Sequence, residues 1–215
     1  MTVGITGPSA SGKGTIARLL AQRLQWFYID IGLVFRAAAY VATERSIIHS
    51  GELGHILSKK LVYHWDYEKV DVLFDGQSIV NRLHDLVIST AASELAKDQS
   101  TMNMLHEFVD SMTMMQPFLI ADGRNVGTTL YPDAFPIFCI QASTLARAKR
   151  RFQQLLEKDP TVKYEVVLED LEKRDEKDRT RAFAPYTVPL HSIIINNNEI
   201  SALECTEKIL SYLNR

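Results

Sequence analysis

The sequence predicts an α/β fold: a parallel sheet with helices on both faces and a small antiparallel insert. Short apolar runs alternate with longer segments of helical period along the chain. The first run leads into a glycine-rich loop, Gly7-Pro-Ser-Ala-Ser-Gly-Lys-Gly-Thr15, which opens a helical pattern. Residues 61–82 break the alternation with three short β-like runs around Asp75-Gly76, a strong hairpin signal.

In chain order the strand candidates are 2–6, 26–30, 118–122, 136–141 and 192–196. They are short and apolar, as suits parallel strands buried on both faces. The helical candidates are 14–24, 32–43, one long helix over 83–115, 144–157 and 200–213. Met102, Met104, Met112, Met114 and Met115 fall on the long helix and are expected to fill core or interface. Residues 157–182 are dense in charge, which fits a solvated helix laced with i,i+4 ion pairs. Arg174, Asp178 and Arg181, four and three apart, share one face and fit a ligand-facing surface equally well.

At 215 residues, 46% hydrophobic and 23% charged, the chain is expected to be a single domain with an insertion, long enough to bury a sizeable core. A formal net charge of -2 makes no bulk case for nucleic acid or a membrane surface as partner. No apolar run reaches the length of a membrane span, and the first residues enter a strand pattern at once, so no signal peptide is expected. Cys139 and Cys205 lie in apolar and helical patterns and are expected to be reduced packing residues of a cytoplasmic protein. His49, His55, His64 and His84 show no metal-ligand spacing.

The loop from Gly7 to Thr15 has the spacing of a phosphate-binding P-loop. Consecutive backbone N–H groups in such a loop curl around phosphate oxygens, and the helix N-terminus adds its positive end. Gly7, Ser9, Ala10, Ser11, Gly12, Lys13, Gly14 and Thr15 are therefore the candidate cradle for a nucleotide phosphate chain. Lys13 supplies a mobile charge near the β- and γ-phosphates. Gly14 follows it, so the hydroxyl able to ligate Mg²⁺ belongs to Thr15, one place later. That ending is typical of small-molecule and nucleoside monophosphate kinases rather than GTPases.

The run 118–122 ends in Asp122, where an acid can organise Mg²⁺ and its waters. Arg124 beside it can grip a phosphate bidentately. Gly32 can start the helix after Asp30 close to a ligand, with Arg36 one turn on. Arg147 and Arg151 lie four apart on one helix face; the first can stack on a purine and the second reach a transferring phosphate. Phosphoryl transfer needs two phosphates held in line, neutralised and shut from water, and these groups fit that need.

The chain resembles the bacterial cytidylate kinase family of the nucleoside monophosphate kinases over nearly its whole length. The resemblance rests on Gly7 to Thr15, Asp30-x-Gly-x-x-Phe-Arg36, Ala91-Ala-Ser93, Ile120-Ala-Asp-Gly-Arg124-x-x-Gly127-Thr128, and Lys173-Arg-Asp-x-x-Asp178-Arg-x-Arg181-x-x-x-Pro185. It implies a P-loop core within one domain, 1–215, an insert at 56–84 that binds the monophosphate, and a lid at 155–182. It implies ATP and Mg²⁺ as cofactors, with Thr15 as metal ligand and Asp122 acting through water. Lys13, Asp122 and Arg151 would be catalytic. Arg147 would lie near adenine. Arg36 and Arg124 would hold the acceptor phosphate, Ser93 and Arg181 would contact the base, and Arg174 and Asp178 the ribose or phosphate. A monomer acting on a small-molecule nucleoside monophosphate is implied.

The chain departs from that family at Ile31 (usually Ser), Phe35 (usually Tyr), Asn125 (Asp) and Met102 (Arg). The last two stand where the family reads cytosine. An Asp only accepts hydrogen bonds, whereas Asn125 can accept or donate through its amide, so a relaxed or altered base choice is expected. The leading reading is transfer from Mg·ATP to CMP or dCMP. The alternatives are a related P-loop kinase for UMP or a small metabolite, and a nucleotide-binding protein that has lost catalysis. An acceptor panel separates the three.

Overall fold

β1 (Thr2–Thr6) is the middle strand of a five-stranded sheet. After it come α1 (Lys13–Leu24), β2 (Phe27–Asp30), α2 (Ile31–Arg45) and α3 (Ser50–Lys60). The insert follows as β3 (Leu61–Trp65), β4 (Val70–Phe74) and β5 (Gln77–Ser78), then a 3₁₀ turn at Arg82–His84. The chain continues through α4 (Leu86–Leu95), α5 (Gln99–Thr113), β6 (Leu119–Asp122), β7 (Ile137–Gln141), α6 (Thr144–Leu156), α7 (Tyr164–Thr180), β8 (Ile193–Asn196) and α8 (Ala202–Leu213). The computed structural model describes residues 1–157 and 159–213; Lys158, inside the expected lid, and Asn214 and Arg215, at the end of the expected domain, lie outside them.

The large sheet is parallel throughout, in the order β2-β6-β1-β7-β8. Alternate side chains feed two cores. Val3, Ile5, Ile120, Phe138 and Ile140 pack with Ile16 and Leu20 of α1 and Ile209 of α8. Ile29, Leu119 and Ala121 pack on the other face with Ala37 and Val41 of α2 and Leu105 and Val109 of α5. Each fully buried aliphatic side chain contributes roughly 1.5–3 kcal/mol. Cys139 and Cys205 are both buried and unbridged.

The insert is an antiparallel sheet, β3-β4-β5. Phe74 pairs with Gln77, so Asp75 and Gly76 form a two-residue turn, with φ of 49° and 77°. Both central residues at positive φ is the hairpin geometry that Asp-Gly favours. The insert is tied to the large sheet through β3: the Asp30 backbone N–H donates to the Tyr63 hydroxyl at 3.0 Å, and the Trp65 indole donates to the Trp26 carbonyl at 3.1 Å.

Two expectations need correction. The single helix over 83–115 is a 3₁₀ turn and two helices, because Asp98 accepts from the Thr101 N–H at 2.7 Å and so caps α5 as a new start. Met102 is fully buried, but Met114 and Met115 are 75% and 82% exposed beyond the end of α5, so they do not fill the core. The sequence reading also passed over α3, whose buried Leu53 and Leu57 carry the helical spacing. Among the described residues no helix is long and apolar enough to cross a membrane.

Candidate active site

The carboxyl ends of β1, β2 and β6 meet at one edge of the sheet. Ile5 pairs with Asp122, and Asp30 pairs with Asp122 from the other side, so two acids stand abreast beneath the glycine loop. Parallel α/β sheets place ligands at this edge.

The loop contains three residues at positive φ, two of them glycines. Gly7, Ala10 and Gly12 have φ of 149°, 57° and 89°. A Cβ on Gly7 would lie 2.3 Å from the Ile140 carbonyl oxygen. Gly14 has a different reason for its size: a Cβ there would stand 3.1 Å from Asp122 Oδ2. The first turn of α1 thus rests against the acid.

Above this edge lies a cavity of about 560 Å³. Ser9, Ala10, Gly12, Lys13, Gly14 and Thr15 line it. So do Arg36, Asp122, Arg124, Arg151, Arg174 and Asp178, together with Ser93, Asn125, Arg181, Phe35 and Ala92. Of the site residues expected from sequence, Gly7, Ser11 and Arg147 stand behind this lining rather than in it.

Arg147 is the clearest difference. The expected adenine contact is 3% exposed, with its guanidinium committed to protein. It donates to the Ser9 carbonyl at 3.0 Å, to the Ala142 carbonyl at 3.1 Å and to Thr144 Oγ1 at 2.8 Å, and pairs with Asp175 Oδ2 at 2.6 Å. It braces the back of the loop and ties it to α7. The cavity-facing arginines on α6 are Arg150 and Arg151. Arg150 donates to Asn197 Oδ1 at 3.2 Å and to the Asn197 and Asn198 carbonyls, while Asn197 Nδ2 donates to the Ser11 carbonyl at 2.7 Å. Sequence reasoning missed Arg150 and Asn197. The one available signal is polar Asn196-Asn-Asn198 directly after an apolar strand.

Asp122 is 3% exposed, Oδ1 has no hydrogen-bond partner, and Oδ2 accepts from the Tyr28 hydroxyl at 3.4 Å. Burial pushes its carboxyl up to about 7, the charge of Lys13 pulling it back and that of Asp30 adding to the rise. Burial likewise pushes the Lys13 ammonium down, against the attraction of Asp122. Between the ordinary carboxylate value and about 7 the folded chain holds a proton on Asp122 that the unfolded chain has released. The group's contribution to stability is therefore lost as pH rises through that window. The Tm of the free protein relative to Asp122→Asn is expected to fall between about pH 5 and pH 7. A difference that stays constant would contradict this assignment.

Arg36 lies 3.6 Å from Asp30 Oδ2, while its buried Nε has no hydrogen-bond partner. Asp30 Oδ1 caps α2 by accepting from the Leu33 N–H at 2.8 Å. A Cβ on Gly32 would lie 3.2 Å from both Arg36 and Asp30, so the glycine makes room for this pair. Arg124 Nη1 donates to Asp178 Oδ1 at 2.6 Å. Arg174 and Asp178 thus turn inward from α7, while its outer face carries Glu169–Lys173 and Glu176–Arg179 pairs. The solvated reading of that charge-rich segment holds for its outer face, while Arg174, Asp178 and Arg181 line the cavity. Thr15 is exposed at the start of α1.

The family model for cytidylate kinase matches residues 3–215. The chain belongs to the cytidylate kinase family. It is 30% identical to a cytidylate kinase of Aeromonas salmonicida, over 97% of this chain and 91% of that one. It is 31% identical to a cytidylate kinase of Citrobacter koseri, over 98% and 93%. A solved shikimate kinase from Bacteroides thetaiotaomicron shares the fold at 12% identity, with a TM-score of 0.50 over 100% of this chain and 99% of that one. Lys13, Thr15, Arg36, Asp122, Arg124 and Arg151 all line the one cavity. Asn125 lines the cavity, while Met102 is fully buried outside the lining with Ala96 and Ala184.

Proposed function

We propose that this protein transfers the terminal phosphoryl group of Mg²⁺-bound ATP to the phosphate of CMP or dCMP, working as a monomer in the cytoplasm. One observation carries the reading. A single cavity joins the P-loop to a group of four arginines able to bind a second phosphate, Arg36, Arg124, Arg151 and Arg174. A protein that only bound one nucleotide would need the first group alone.

The loop backbone and Lys13 would hold the donor phosphates. Arg36 and Arg124 would hold the acceptor phosphate; Arg36 Nε is a buried donor with no partner of its own, as an anion site requires. An oxygen of the acceptor phosphate then forms a bond to the γ-phosphorus as the bond to the β,γ-bridging oxygen breaks. Arg151 and Lys13 stand to neutralise the charge spread over the transferring group. The residues also fit Mg²⁺. Thr15 offers an exposed hydroxyl, and Asp122 Oδ1 is a buried carboxyl oxygen without a hydrogen-bond partner. When bound, the metal would neutralise phosphate charge. Closure of α7 through Arg174, Asp178 and Arg181 would exclude water.

The test is ADP release from Mg·ATP with CMP, dCMP, UMP, GMP, AMP or no acceptor. CMP and dCMP are expected to stimulate release strongly. Release no higher than the blank with every acceptor would overturn the reading.

A further inference from the structure

We propose that the base end of the cavity does not distinguish cytosine from uracil, so that UMP and dUMP are acceptors alongside CMP, and that Asn125 is the residue setting this tolerance. The proposal rests on the phosphotransfer reading above, with the acceptor phosphate held at Arg36 and Arg124 and its base directed towards Phe35, Ser93, Asn125 and Arg181.

Cytosine and uracil differ in what they offer at C4 and N3. Cytosine presents an amino donor beside an acceptor nitrogen; uracil presents a carbonyl acceptor beside an N–H donor. Strong selection of one over the other needs a polar group that the wrong base leaves buried and unpaired. A carboxylate is the strongest such group for cytosine, because it only accepts.

No acceptor of that kind is available at this end among the described residues. Three carboxylates line the cavity. Asp30 and Asp122 stand beneath the P-loop, and Asp178 has both carboxylate oxygens against Arg124 Nη1, at 2.6 and 2.5 Å. Glu94, next to Ser93, has its two oxygens held by Lys97 at 2.8 and 2.6 Å. That leaves Asn125, 8% exposed, whose Oδ1 accepts from Arg181 Nη2 at 2.5 Å. The orientation of this amide follows from chemistry, since a guanidinium only donates and reversing the amide would set donor against donor. Arg181 thus takes one lone pair of Asn125 Oδ1; the second lone pair can still accept and the amide N–H groups can donate, so this side chain can meet either base.

The other groups here are equally permissive. Arg181 donates to either pyrimidine's carbonyl. The Ser93 hydroxyl donates to the Ser89 carbonyl at 3.1 Å, which leaves its lone pairs to accept from an amino group or a ring N–H. Met102 is fully buried in a small apolar cluster with Ala96 and Ala184, against which Phe35 and Phe183 pack. That cluster supports the pocket without imposing a hydrogen-bond pattern. Neither base leaves an obligatory partner unpaired.

The test compares kcat/KM for CMP and UMP, with Mg·ATP, in the wild type and in Asn125→Asp. That substitution keeps the side-chain volume and the contact with Arg181 but presents a carboxylate to the base. UMP is expected within about tenfold of CMP in the wild type, and Asn125→Asp is expected to move the ratio at least about tenfold towards CMP. Wild-type UMP below about a hundredth of CMP would overturn the proposal, as would an unchanged ratio in a folded Asn125→Asp protein. If the variant fails to fold, the wild-type ratio alone decides. Turnover of neither CMP nor UMP would instead remove the phosphotransfer reading on which the proposal rests.

Discussion

Lys13→Ala is expected to lower kcat by roughly 10²–10³-fold or more, the range seen when one preorganised charge-stabilising group is removed, while the protein stays folded. The physical reason lies in its surroundings. Lys13 lines the cavity at the first residue of α1, and among the described residues its ammonium hydrogen-bonds only the Pro8 carbonyl, at 3.4 Å. Its charge is poorly solvated, since burial pushes its pKa down. It is therefore preorganised for an anionic ligand rather than for holding the fold together. Steady-state rates with Mg·ATP and CMP, together with a thermal melt, check both halves of the statement. A near-normal rate would refute the P-loop assignment. A collapsed melt would show that Lys13 is structural.

Arg147→Ala is expected to act in the opposite sense, on stability first. The side chain is almost fully buried, contacts the loop at Ser9 and pairs with Asp175 of α7. Removing it strands the Ser9 carbonyl and the Asp175 carboxylate together. Breaking a buried pair of this kind costs about 3 kcal/mol or more, which for a chain of this length lowers Tm by roughly 6–12 °C. Asp175→Ala should produce part of the same loss, and the double variant should lose less than the two losses added. An unchanged Tm with only a raised KM for ATP would return Arg147 to the adenine contact expected from sequence.

The contrast between these two residues shows how far the site was legible. Lys13 could be assigned a place because the P-loop is a local structure: strand, glycines, lysine and helix are consecutive, and the backbone conformations follow from residue type. Asp122 was legible for a similar reason, as the last residue of an apolar strand. Arg147 and Arg150 were not separable in sequence. Both are basic residues on one helix, and which turns towards the loop's back and which towards the cavity depends on how α6 sits against α7 and Asn197. The break between α4 and α5 was hidden because Asp98 acts as a cap only once its side chain folds back on the Thr101 N–H.

By itself the sequence determined the parallel α/β architecture, the hairpin insert and a phosphate-gripping loop with its acid and arginines. Each of these is written in hydrophobic period, turn chemistry or contiguous residues, and so depends on near neighbours in the chain. Only the tertiary structure decided how those groups are spent. It set Arg147 behind the loop as a brace, left Asp122 Oδ1 buried and unpaired, and turned Asn125 so that Arg181 takes its acceptor. These outcomes join residues more than fifty positions apart, where a hydrogen bond is granted or refused by packing and no local pattern records it.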